Sequence, residues 1–311
     1  MESLKLLVIC LIIIVILLIV GYFIVGNYFY NIALNRNTPK SLILGEETEE
    51  QKFNREKNLL WMQDNSEEIY ITSSNQSLKL HAYEIQNQVE SDIWTIIIHG
   101  YSGQGSDMIY IAKEFLDRGY NTLIVDLRGH GKSEGNYIGM GWPDRLDIID
   151  WSNYIISKNK ASKIILYGVS MGAATVMMAT GEELPENIKV AIEDCGYTSV
   201  WEEFKIQLNN IFNLPTFPVL NAATTVCKFR AKHDINSASC VEQVKKSKTP
   251  TLFIHGDQDR FVPFEMLDKV YNAANCKKEK LVIEGATHAQ ASSTNSKLYW
   301  NTIYSFIEKY L

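Results

Sequence analysis

Positive charge is scarce in this sequence: 30 lysines and arginines stand against 36 aspartates and glutamates, a formal net charge of -6 over 311 residues. That balance excludes the basic footprint of a nucleic-acid-binding surface. Cysteine is scarce as well, with five in the chain and no C-x-x-C pair. A disulfide-dense scaffold is therefore excluded, and metal-ligand spacing is absent. Cys10 falls in an apolar run, while Cys195, Cys227, Cys240 and Cys276 are scattered, which reads as free, mostly buried thiols. There is no internal repeat and no low-complexity tract.

One absence is local. From Leu6 to Val25 (LLVICLIIIVILLIVGYFIV) there is no charge and no proline. Twenty helical residues match a hydrocarbon core about 30 Å thick. A buried helix of a soluble domain keeps a polar face, which this run lacks. A cleaved signal peptide has a shorter apolar region ending at small residues. Here the run meets Gly26-Asn27-Tyr28-Phe29-Tyr30 instead, and aromatic rings of this kind collect at membrane interfaces. Residues 1–30 are thus expected to form an uncleaved anchor in membrane lipid. Lys5 on one side and Arg36 and Lys40 on the other leave its orientation open.

Residues 31–66 carry Thr38-Pro39 and the acidic run from Glu46 to Glu50, and read as a linker or helical arm with a helix around Gln51 to Met62. Beyond them, short apolar strands alternate with amphipathic helices. Strands are expected at Glu68–Thr72, Leu78–Ile85, Trp94–His99, Asn121–Asp126, Lys163–Tyr167, Lys189–Glu193, Thr251–His255 and Lys280–Ile283. Helices are expected at Ser106–Arg118, Trp142–Asn159, Met171–Thr180, Ile235–Lys246, Pro263–Ala274 and Ser296–Tyr310. Runs such as TIIIH and KIILY are apolar throughout, as in a parallel sheet covered on both faces. The predicted class is α/β: a mostly parallel, doubly wound sheet of about eight strands over residues 67–311. The first two strands, separated by SSNQS, form an antiparallel edge hairpin.

Reactive groups in such sheets sit at the carboxyl ends of strands. Gly168-Val169-Ser170-Met171-Gly172 stands there, between a strand and a helix, and fits G-x-S-x-G. The chain must turn within a residue or two, which thrusts the hydroxyl of Ser170 outward, and glycine leaves room for neighbouring backbone. A hydroxyl needs a base to take its proton. In this architecture the acid and then the histidine follow the serine. His288, in EGATHAQ after the last strand, is the candidate base; His255, at a strand end, reads as loop packing. HGDQDRFVP offers Asp257 and Asp259. Asp259, just before a helix, is the candidate acid; Asp257 reads as fixing its own turn. Asp194, at the end of the preceding strand, competes. The amides of Met171 and Tyr101 are the candidate oxyanion donors, with His99 bracing the Tyr101 loop.

HGYSG, DLRGHGKSEG, GVSMG, HGDQDRFVP and GATHA follow one another in this order. Together they resemble the α/β-hydrolase superfamily from roughly Ile69 to Leu311, with bacterial serine-aminopeptidase-like and monoacylglycerol-lipase-like members as the nearest likeness. The resemblance implies acyl transfer through an acyl-enzyme and no cofactor; the Asp126–Gly131 turn carries no chemistry in that superfamily. A carboxylic ester is the expected substrate. The alternative is a short peptide with a free amine, for which Glu193, Asp194, Glu202 and Glu203 offer acidic partners. A catalytically silent binding protein on the same fold is the non-enzyme alternative, but no triad member or oxyanion glycine is missing. Residues 196–234 are aromatic-rich and broken by Pro215 and Pro218. They read either as a cap whose Phe212 and Phe217 touch an apolar substrate group or as an extra packed helix.

Overall fold

A computed structural model describes residues 1–311. Helix α1 runs unbroken from Glu2 to Leu34, four residues beyond the expected anchor. Its apolar stretch is exposed, with mean hydropathy 3.5 over its most apolar window, whereas Gly26, Tyr30, Ile32 and Leu34 are buried. A short turn of helix, α2 (Ser41–Leu44), and α3 (Glu49–Asn65) follow. Thr48 caps α3: its hydroxyl accepts from the Gln51 amide while the Gln51 side chain reaches back, a reciprocal cap that explains why the helix starts there.

The strands are β1 (Glu67–Thr72), β2 (Lys79–Ile85), β3 (Ile93–Ile98), β4 (Asn121–Val125), β5 (Lys163–Val169), β6 (Ile188–Asp194), β7 (Thr251–Gly256) and β8 (Lys278–Ile283). They form one sheet in the order β1-β2-β4-β3-β5-β6-β7-β8. β2 is antiparallel to both β1 and β4; every other pairing is parallel. β3, β4 and β5 are buried almost end to end, as continuous runs of isoleucine, leucine and valine require.

Helices α4 (Ile109–Asp117), α5 (Asp144–Lys158), α6 (Met171–Ala179), α7 (Val200–Phe212), α8 (Thr216–Arg230), α9 (Cys240–Val244), α10 (Glu265–Ala273), α11 (Ala291–Thr294) and α12 (Ser296–Tyr310) complete the chain. One core joins the sheet to α5, α6, α9 and α10, and the other joins it to α4 and α12. The expected single helix Ile235–Lys246 is two pieces, a 3₁₀ turn at Ile235–Ser237 and then α9. Ser239 accepts from the Glu242 amide and starts the second piece afresh.

The 196–234 region holds α7 and α8, and α8 packs across the C-terminal third of α1. A methyl group on Gly26 would overlap the Ala222 carbonyl, so the crossing needs glycine at that point. Around it, the Tyr22 hydroxyl lies 3.0 Å from Thr225 Oγ1, and Arg230 donates to Asn27 and Asn31 at 2.7 and 2.8 Å. All five cysteines are free; Cys195, Cys227 and Cys240 are buried.

Candidate active site

Ser170 ends β5 and opens α6 with φ 57° and ψ -117°, a positive φ that a serine holds only under strain. The surroundings impose it. A methyl on Gly172 would overlap the carbonyl groups of Ile98 and His99, and one on Gly168 would overlap the backbone at Gly172. The Ser170 amide donates to the Asp194 carbonyl at 2.8 Å, which ties the turn to β6.

From that turn the Ser170 hydroxyl lies 2.9 Å from His288 Nε2, and His288 Nδ1 lies 2.7 Å from Asp259 Oδ2. Residues separated by 118 and 29 positions in sequence thus meet at the carboxyl ends of β5, β7 and β8. Asp259 is buried. Its Oδ1 accepts from the amides of Phe261 and Val262 at 2.9 and 3.0 Å, and its Oδ2 also takes the His255 Nε2–H at 3.3 Å. Burial alone would raise its pKa, but the hydrogen bonds from His255 and His288 outweigh burial and hold the carboxyl below its ordinary value. With Asp259 ionised, Nδ1 carries the proton and Nε2 faces the serine as an acceptor. The Phe261 ring lies against His288, centroids 4.9 Å apart.

The other expected residues fall as follows. The amides of Tyr101 and Met171 have no protein acceptor. Gly100 brings the first of them beside Ser170: a methyl there would sit 3.4 Å from the Ser170 Cβ. His99 braces that loop, with Nδ1 on the Gly100 carbonyl at 2.8 Å and Nε2 accepting from the Leu127 amide at 3.1 Å. Asp257 does not fix its own turn; its Oδ1 accepts from Gly285 at 2.7 Å and ties the β7 loop to the β8 loop. The Asp194 carboxyl is bonded to the Tyr299 hydroxyl at 2.7 Å rather than to a histidine, and burial pushes it up to about 6. Asp126 takes the amides of Gly105 and Lys132 and a ring nitrogen of His81, so it ties its own turn together.

Ser170 opens into a cleft between α1, α7 and α8. Apart from Ser170, Glu203 and Gln207, every lining residue is hydrophobic. Phe212 lines the cleft. Phe217 does not: it is 74% exposed, because the backbone at this residue is extended and turns its ring to solvent. One contributor escaped sequence reasoning, and another was named by it only as one of several. Phe29, Ile32, Ala33 and Leu34 of α1 form part of the wall, and the Tyr101 hydroxyl donates to the Ala33 carbonyl at 2.7 Å. Glu203 faces the cleft with Oε1 held by Gln207 at 2.8 Å and Oε2 unpartnered, and burial pushes its carboxyl up to about 8. Nothing in the local sequence marks the α1 residues, because only the tertiary crossing with α8 brings them here. Glu203 was marked as one of four acids without a way to choose among them.

Ligand atoms of Cys195, Asp259 and His288 lie within 4.8 Å of one another. They fit a metal poorly: both ring nitrogens of His288 are engaged by Asp259 and Ser170, and burial holds Cys195 as the neutral thiol.

The sheet order, the strained serine between strand and helix, and the acid and histidine on the loops after β7 and β8 define an α/β-hydrolase fold. The model of the family described as serine aminopeptidase, S33, matches residues 90–203. The chain is 28% identical over 218 residues to the uncharacterized protein YqkD of Bacillus subtilis, covering 68% of this chain and 70% of that one. It is 23% identical over 230 residues to the uncharacterized membrane protein YNL320W of Saccharomyces cerevisiae, covering 74% and 75%. Among solved structures, the Pyrococcus furiosus esterase Pf2001 superposes with a TM-score of 0.67 at 21% identity, over 81% of this chain and 93% of that one.

Proposed function

We propose that the protein is a membrane-anchored serine hydrolase that cleaves carboxylic esters through an acyl-enzyme. The observation that carries this reading is the unbroken chain of hydrogen bonds from Ser170 Oγ through His288 to Asp259, at 2.9 and 2.7 Å, beside an apolar cleft.

Ser170 Oγ attacks the ester carbonyl carbon as His288 Nε2 takes its proton. Asp259 keeps the ring in the required tautomer and stabilises the imidazolium. The amides of Met171 and Tyr101 donate to the oxyanion. On collapse, His288 returns the proton to the departing alcohol. Water, deprotonated by the same nitrogen, then attacks the acyl carbon and frees Ser170. These steps use only side chains and amides of this chain. The helix from Leu6 to Val25 crosses the bilayer once and holds the domain against it.

The second reading, an aminopeptidase, is favoured by Glu203, the only acid in the cleft wall. A carboxyl pushed up to about 8 is largely neutral near pH 7 and pairs weakly with an ammonium group, which favours the ester. Glu193 and Asp194 are fully buried and outside the cleft wall.

Labelling with a fluorophosphonate probe tests the serine: wild type labels and Ser170→Ala does not. Label retained by the variant, or absent from both, rejects the reading. A panel of p-nitrophenyl esters against aminoacyl anilides separates ester from peptide. Retention in the pellet after alkaline carbonate extraction tests the anchor.

A further inference from the structure

The cleft is built partly from the anchor. Near Ser170, Tyr101 is bonded to the Ala33 carbonyl of α1. One helical turn back towards the N-terminus, Phe29 meets Phe212 of α7 edge to face, ring centroids 5.3 Å apart, and both rings line the same cleft. A further turn back is Val25, the last residue of the apolar run. At 1.5 Å per residue, Val25 to Ala33 covers about 12 Å. The cleft wall therefore lies on the last turns of the very helix whose preceding turns are sheathed in exposed leucine and isoleucine. Beside it, Phe229 of α8 is 72% exposed and lies against Phe23 of α1, centroids 6.3 Å apart, at the level where the apolar run ends. Aromatic rings favour the membrane–water boundary, which places this side of the cleft at that boundary.

We propose that α1 is a wall of the substrate site as well as a tether, and that the cleft takes the acyl chain of a membrane-resident, long-chain ester. The ester carbonyl reaches Ser170 while the chain lies along Ala33 and Phe29, its far end pointing back to the bilayer. This rests on the ester-hydrolase reading above. The chemistry of the wall decides the substrate class: each methylene left in water forgoes favourable burial, and almost every lining side chain is hydrophobic. The Phe29–Phe212 pair sets how long a chain is accommodated.

The test uses the full chain in lipid nanodiscs and compares p-nitrophenyl dodecanoate with p-nitrophenyl acetate. Ala33→Trp places an indole in the path of the chain, and the dodecanoate-to-acetate ratio of kcat/KM is expected to fall at least tenfold. Both esters are read on one preparation, so any unfolded fraction cancels from the ratio. A ratio that stays within twofold of wild type overturns the proposal. A separate readout needs no turnover: a twelve-carbon fatty acid bearing a terminal diazirine is photocrosslinked to Ser170→Ala protein. Crosslinks at residues 29–34 that disappear with Ala33→Trp support the wall. Crosslinks confined to residues 6–25, or unchanged by the tryptophan, overturn it whether or not Ser170 is the nucleophile.

Discussion

Gly26 of α1 packs so closely on Ala222 of α8 that no side chain fits between them. Helix α1 and the 196–234 region are one packed unit at this point, and the substitution of a single hydrogen is enough to disturb it. Replacing glycine inside a helix by alanine normally gains about 1 kcal/mol. Here the new methyl meets a backbone carbonyl, which cannot move aside as a side chain does, and overpacking costs about 1–3 kcal/mol. The steric cost wins. Gly26→Leu is expected to lower the melting temperature by several degrees and to open residues 213–216 to protease. Gly21→Leu, at a position with nothing near it, is expected to do neither. Equal behaviour of the two variants would contradict the crossing.

Asp259→Asn tests the acid. The amide cannot accept the Nδ1 proton as a carboxylate does, and the tautomer of His288 is no longer held. A loss on the order of 10⁴-fold in kcat is expected, the size found when a triad acid becomes its amide, with KM little changed. Steady-state kinetics on an ester substrate checks it. A loss under tenfold would move the acid's role elsewhere, with Asp194 the next carboxylate to substitute.

His255 shares its Nε2–H between the Val262 carbonyl at 3.0 Å and Asp259 at 3.3 Å. Hydrogen bonds to charged groups contribute about 1.5–3 kcal/mol, and a long, shared one belongs at the low end. His255→Phe is therefore expected to lower kcat about tenfold while fluorophosphonate labelling persists. A loss as deep as that of Asp259→Asn would show that His255 does more than hold the carboxylate.

Glu203 ties stability to pH. Its carboxyl rises from the ordinary 4.5 to about 8 on folding, through burial. Below about pH 4.5 it is protonated folded and unfolded alike, and titration costs nothing. Between about 4.5 and 8 the unfolded chain ionises first, so stability falls with rising pH by at most about 1.4 kcal/mol per unit, then levels off. Glu203→Gln lacks this penalty. Its melting temperature relative to wild type is expected to climb from pH 5 to pH 8; a flat difference would mean that the carboxyl ionises normally in its place.

The sheet and the order of its loops were legible because each signal is local. Continuous apolar runs mark covered strands, and G-x-S-x-G marks a turn whose backbone is dictated by its own glycines. The same holds for Ser170, His288 and Asp259, each identified from the strand end it follows and brought within hydrogen-bond reach by the sheet. What stayed hidden depends on distant partners. The α1 helix outlasts the apolar run because Tyr30, Ile32 and Leu34 are buried against the domain, not because of any propensity. Phe212 and Phe217 are equivalent by composition, and only the extended backbone at Phe217 separates the ring in the cleft from the ring in solvent. The break before Cys240 was legible in principle, since Ser239 is a ready N-cap.

A helix without interruption from Glu2 to Leu34 acts as a strut, because it has no joint about which the domain could swing. In the anchored enzyme proposed above, that strut would fix the height and tilt of Ser170 over the bilayer. For the proposed membrane-resident ester, encounter would be a two-dimensional search, and turnover is expected to follow the mole fraction of ester within the leaflet: diluting the surface with inert lipid would slow the reaction, whereas diluting the whole suspension with buffer would not.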